Sequence, residues 1–259
     1  MILHTSDGIK VYYKTFGSEK SLPLILVHGL GADRNMFNTQ IDKYVAEGFF
    51  LIVPDMRGHG DSAKVNSFKI EDCARDLKEL LDHLHITNTS LIGVSMGGLI
   101  VQQFALDFSS YVDKLIIVDS FSGVSGFFMK FNAKLASLLL KVIPKKLLAK
   151  LYGTAYKGKK NEPIRKYFEE ITLKGDMKQI RMARSEVNRF DVLKRLKEIS
   201  VPTLVLVGDL FGKMAINMAN VTAEGIPNAQ LKVLKGGGDP SNMLVPELFN
   251  TEVLLFLKS

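Results

Sequence analysis

Short apolar runs bounded by turn residues recur along this chain and alternate with stretches whose apolar residues repeat every three or four positions. The runs occupy 22–28, 49–54, 89–95, 114–119, 202–208 and 230–234. Each has the length and aliphatic content of a buried strand. Between them, Ala74, Leu77, Leu80, Leu81 and Leu84 mark one face of a helix over 70–84, and a second helical pattern covers 97–108. Residues 1–16 read as a hairpin turning at Asp7-Gly8. Strands alternating with helices predict βαβ units, and hence an α/β class fold with a mostly parallel central sheet and helices on both faces.

Between 123 and 196 the strand pattern stops. Helix-like stretches at 130–142, 145–152, 163–172 and 177–184 take over, so this segment is expected to be a helical cap. The sheet domain is then built from 1–122 and 197–259. An open α/β sheet binds ligands beyond the carboxyl ends of its strands, and the insertion is expected to lie there. Pro202, Pro227 and Pro240 mark later loops or strand starts.

Composition narrows the class without naming a chemistry. Of 259 residues, 46% are hydrophobic and 24% charged, which excludes a disordered tail or a collagen-like fibre. Cys73 is the single cysteine, so no internal disulfide can form. With no signal-peptide pattern at the start and no apolar run of membrane-spanning length, the expectation is a cytoplasmic protein without stable membrane insertion. The net charge of +7 is unevenly placed: 130–166 holds eleven Lys or Arg against Glu162 alone, and the rest of the chain is slightly acidic. Such a local surplus argues against nucleic-acid binding by the whole protein. It reads either as the solvated face of leucine-rich helices or as a basic cap that touches acidic surfaces.

The most specific motif is Gly93-Val94-Ser95-Met96-Gly97, between a strand and a helix. A sharp strand-to-helix turn needs small residues around the serine so that its hydroxyl can be presented at the sheet's edge. An ordinary glycine-rich turn would share this pattern out of context. The strand, the helix and a second motif, His28-Gly29-Leu30-Gly31, supply the context. That loop can turn the N–H of Leu30 toward the serine, and with the N–H of Met96 it would form an oxyanion hole. His28 and His59 read as supports of their own loops. Scattered histidines and one cysteine give no metal-ligand cluster, and the glycine patterns fit no nucleotide loop, so neither a metal nor another cofactor is expected.

With Pro54-Asp55-Met56-Arg57-Gly58-His59-Gly60-Asp61-Ser62 added to these motifs, the sequence resembles the α/β-hydrolase superfamily, in particular its capped, carboxylesterase-like members, over nearly its whole length. The resemblance implies a serine nucleophile, an acid after strand 202–208 and a histidine on the late loop. Here the chain departs twice. Phe211 stands where the acid is expected, Asp239 stands where the histidine is expected, and no histidine follows His85. Asp209 and Asp119 are alternative acids, but an acid alone does not replace imidazole as a base. Such a scaffold with both positions changed fits either a redesigned protein or a natural relative in which they drifted.

Three functions follow from this reading. In the first, the triad is dismantled and Asp239, its pKa raised in an apolar capped pocket, is a general base abstracting a proton from a small aromatic substrate. Its side chain, shorter than histidine, is expected to stop short of Ser95. Phe211, Phe121, Phe127, Leu138 and Met243 are expected to line the pocket, with Phe211 stacking on the ligand. In the second, Ser95 supports weak carboxylester hydrolysis. In the third, the pocket binds an apolar ligand without turnover. The partner in each case is a small molecule, and the oligomeric state is left open.

Overall fold

The computed structural model describes residues 1–123, 143–156 and 158–259. The apolar runs become strands β1 (Ile2–His4), β2 (Lys10–Phe16), β3 (Leu22–Val27), β4 (Phe49–Pro54), β5 (Thr89–Val94), β6 (Val112–Val118), β7 (Thr203–Gly208) and β8 (Ala229–Leu234). They form one eight-stranded sheet in the order β1-β2-β4-β3-β5-β6-β7-β8. The β1–β2 and β2–β4 pairs are antiparallel and the others parallel. Crossover helices place apolar cover on both faces, which is why β4, β5 and β7 are buried throughout.

Period-two alternation sorts the strand side chains between two core layers. Ile25, Val27, Val205 and Val207 pack with helices α1 (Ile70–His83) and α2 (Met96–Asp107). Leu24, Leu26, Leu204 and Leu206 pack on the other face, with Phe37, Tyr44, Phe249 and Val253. In α1, Leu77, Leu80 and Leu81 are the buried stripe, while Glu71 and Asp72 lie at the positive end of the helix and His83 at the negative end.

In the inserted segment, α3 (Lys145–Ala155), α4 (Glu162–Lys174) and α5 (Met177–Val187) are helices as the sequence predicts. The helix expected at 130–142 lies outside the described residues. Pro163 opens α4, where its missing N–H costs nothing. Asp176 caps α5 by accepting the N–H groups of Lys178 and Gln179. This segment is locked to the sheet domain by polar and apolar contacts. Gln179 both accepts the N–H of Val65 (2.9 Å) and donates to its carbonyl (3.0 Å). Ala183 and Val187 join the core layer of α1 and α2. Gly123 bridges Asp191, so the segment leaves and returns at one place.

Candidate functional site

Ser95 sits between β5 and α2 with φ 55° and ψ −115°. This is strained for a residue with a Cβ, and the surroundings hold it there. A Cβ on Gly97 would strike the carbonyl of Val27, and one on Gly93 would strike that of Gly97. Ser95 donates its N–H to Val118 (2.8 Å), and its carbonyl accepts the Ser120 hydroxyl (2.8 Å). Met96 is the first residue of α2, so its N–H has no acceptor within the helix. The 28–31 loop packs directly on this turn, with a Cβ at Gly29 falling 3.3 Å from that of Ser95.

Both histidines near the sheet edge are structural. His28 is fully buried, its Nδ1 2.8 Å from the carbonyl of Gly29, and its Nε2 accepts the N–H of Met56 at 3.0 Å. A carbonyl can only accept, so the proton is on Nδ1 and the ring is neutral. Burial lowers its pKa, and burial together with His28 takes His59 down to about 3. Neither ring lines the cavity at Ser95. Arg57 ties the opening hairpin to α1 by donating to Asp76 through Nε (2.7 Å) and to Asp7 (3.0 Å).

The late loop brings Asp239 to the serine. A Cβ on Gly208 would collide with Gly237, so only glycines let the end of β7 and this loop meet backbone to backbone. Asp119, buried at the end of β6 with φ 47°, accepts the N–H of Gly208 (2.9 Å) and both the N–H (2.6 Å) and hydroxyl (3.0 Å) of Ser241. The loop is thereby drawn inward, and the Ser95 hydroxyl donates to Asp239 Oδ2 at 2.9 Å. The expectation that the shorter side chain would stop short of Ser95 is therefore corrected. Tyr156, at the end of α3, donates to the Asp239 carbonyl (2.9 Å) and holds the loop.

Asp239 is pushed up to about 6 by burial, against the opposing effects of the Ser95 hydrogen bond and the Arg184 charge. Asp119 is pushed up to about 7 by burial and by the charge of Asp239. Asp209 takes no part in this group, since it accepts the N–H of Gly236 at an exposed position.

Ser95 and Asp239 open onto a cavity of about 170 Å³ lined by Leu30, Met36, Leu148, Tyr152, Tyr156, Phe168, Ile180 and Arg184 among others. A second space of about 410 Å³ adjoins it through Gly31, Ala32 and Ile180. Three expected lining residues lie elsewhere. Phe211 is 42% exposed, because the turn after β7 carries it outward. Phe121 packs against the α1/α2 core layer and Met243 against the opposite one. Phe127 and Leu138 lie outside the described residues. Arg184, Tyr152 and Tyr156 were not singled out in the sequence, because α3 and α5 carry no motif that says which face meets the serine. Among the described residues no three His, Cys, Asp or Glu are placed to hold a metal ion, and no helix is long and apolar enough to cross a membrane.

Comparison with known proteins agrees with this architecture. The sequence profile of the alpha/beta hydrolase fold matches residues 23–244. The 3-oxoadipate enol-lactonase 2 of Acinetobacter baylyi is 27% identical over 259 residues, covering 98% of this chain and 95% of the relative. Among solved structures, an esterase from Exiguobacterium antarcticum superposes with a TM-score of 0.91 at 25% identity, covering 100% of this chain and 99% of the other. A hydrolase from Pseudomonas aeruginosa shares the fold with a TM-score of 0.89 at 22% identity, covering 100% and 98%.

Proposed function

The chain belongs to the alpha/beta hydrolase fold family and has an esterase- or lactonase-like scaffold, and from that premise we propose that it hydrolyses a small carboxylic ester or lactone with Ser95 as nucleophile and Asp239 as its base. The observation that carries this reading is the 2.9 Å hydrogen bond from the serine hydroxyl to Asp239 Oδ2. Residues 123–196 serve as the cap over the reacting pair.

Ser95 Oγ attacks the carbonyl carbon as its proton passes to Asp239, and the carbonyl electrons move onto oxygen, where the N–H groups of Leu30 and Met96 stabilise the charge. Collapse of this intermediate breaks the bond to the leaving oxygen, which takes the proton held by Asp239, and leaves an acyl group on Ser95. Asp239, once more a carboxylate, then takes a proton from water as the water attacks the acyl carbon. Collapse of this second intermediate breaks the bond from the acyl carbon to Ser95 Oγ, Asp239 returns the proton to Oγ, and the carboxylic acid is released.

A carboxyl group with a pKa of about 6 is a weaker base than the alkoxide of an ordinary alcohol by many orders of magnitude. The reading therefore favours leaving groups that are stable as anions, namely enols and phenols. The relative from Acinetobacter is named for an enol lactone, which supports this class.

A second reading is favoured by the raised pKa of Asp239 and its place on the cavity wall: Asp239 takes a proton directly from a bound carbon or oxygen acid. Ser95→Ala separates the two. Hydrolysis of 4-nitrophenyl acetate and of a five-membered enol lactone is expected to fall at least about 10³-fold in this variant. Unchanged rates would remove Ser95 as nucleophile and leave the second reading standing.

A further inference from the structure

Arg184 is the one charged side chain besides Asp239 among the described residues lining the Ser95 cavity. Its Nε is buried and has no hydrogen-bond partner. It lies near enough to lower the proton affinity of Asp239, yet no ion pair among the described residues includes it. A buried guanidinium donor left unmade costs free energy unless something else supplies an acceptor. Apolar and aromatic neighbours, Ile180, Leu148 and Tyr152, offer no anion of their own. Arg57, buried in the same protein, has carboxylates on two sides.

We propose that the substrate carries a carboxylate on its acyl side and that Arg184 binds it. The inference rests on the reading of Ser95 and Asp239 as the reacting pair, and it names the substrate class of that site. The planar fork of guanidinium donors matches the two oxygens of a carboxylate. The cavity holds about 170 Å³, so a carboxylate bound in it lies only a few bonds from the reacting carbonyl, as it does on a short acyl chain. Lys64, Lys145 and Lys174, which line the adjoining space of about 410 Å³, gain a use under this reading. Positive charge around the mouth of a cleft raises the local concentration of an anionic substrate and its rate of arrival.

The test compares the 4-nitrophenyl monoester of glutaric acid, which is anionic, with its methyl-capped diester, which has the same chain and leaving group but no charge. In wild-type protein kcat/KM is expected to favour the anion by about tenfold to hundredfold. Arg184→Met should bring the ratio close to one, and Arg184→Lys should keep part of it, which also guards against a folding defect in the Met variant. A wild-type ratio near one, or a ratio that survives Arg184→Met, overturns the proposal while leaving the hydrolase reading intact. If neither ester is cleaved, the hydrolase reading fails and binding decides the rest. Glutarate titrated calorimetrically into Ser95→Ala should bind and into Ser95→Ala/Arg184→Met should not. Equal binding, or none, overturns the role of Arg184.

Discussion

Two groups of charges lie beyond the carboxyl ends of the strands, one after β4 and one after β5 and β6, and they are built on opposite plans. Under the opening hairpin, Arg57 donates to Asp76 through Nε and Nη2 (2.7 and 2.5 Å) and to Asp7, while Asp55 is paired with Arg34 and accepts two backbone N–H groups. Each charge there faces its opposite. At the serine, Asp239 and Asp119 are two carboxylates facing hydroxyls and amides, and among the described residues Arg184 has no carboxylate within ion-pair distance. A fully paired cluster fixes loops. Burial raises both carboxylates toward neutrality, with the charge of Asp239 adding to the rise at Asp119.

This contrast can be broken most forcefully in the paired cluster. Asp76→Ala leaves the Arg57 guanidinium buried without its main partner, and a loss of about 3–5 kcal/mol in folding stability is expected by denaturant unfolding. The kcat of the remaining folded protein should change little, because Asp76 lies outside the cavity at Ser95.

At the serine the expected outcome is reversed. Asp239→Asn removes the proposed base and should lower kcat/KM for an aryl ester by about 10²–10³-fold. Wild-type kcat/KM should rise with pH through a midpoint near 6 as Asp239 ionises, and the variant should lose that limb. A profile with no inflection between pH 5 and 7 would remove Asp239 as the titrating base.

The smallest effect concerns stability at the same site. Both carboxylates have folded-state pKa values above 3.8, at about 6 for Asp239 and about 7 for Asp119. The folded state therefore binds their protons more tightly than the unfolded state does. Their stabilising contribution is complete below about pH 4 and is lost as pH rises through 6 and 7. Asp239→Asn removes one of the two charges, so at pH 8 it should gain about 1–2 kcal/mol relative to wild type, with the gain vanishing near pH 4. A variant that loses stability equally at both pH values would show that the Ser95 hydrogen bond outweighs the burial of charge.

Much of this molecule was legible along the chain. The strands at 49–54 and 202–208, the helix from 70 and the serine turn follow from local rules: a run buried on both faces is apolar throughout, a helix buries one stripe, and a strained turn needs Gly93 and Gly97. The absence of a late histidine was equally visible, since composition needs no structure. The reach of Asp239 was not. It depends on Gly208 meeting Gly237 across the loop and on Asp119 drawing in Ser241, contacts between residues up to 122 positions apart. Phe211 was misplaced for the same reason, because its position in the family pattern says nothing of where the turn after β7 points.

What the sequence determined by itself was the order of elements, the serine turn between Gly93 and Gly97, and a carboxylate at 239 with no histidine after His85. Each of these is set by neighbours within a few residues or by residue identity alone. Only the tertiary structure decided that Ser95 and Asp239 touch, that Asp119 lies behind them, and that Arg184 faces the same cavity. Distances between segments far apart in the chain come from how whole layers pack, and no local pattern encodes them.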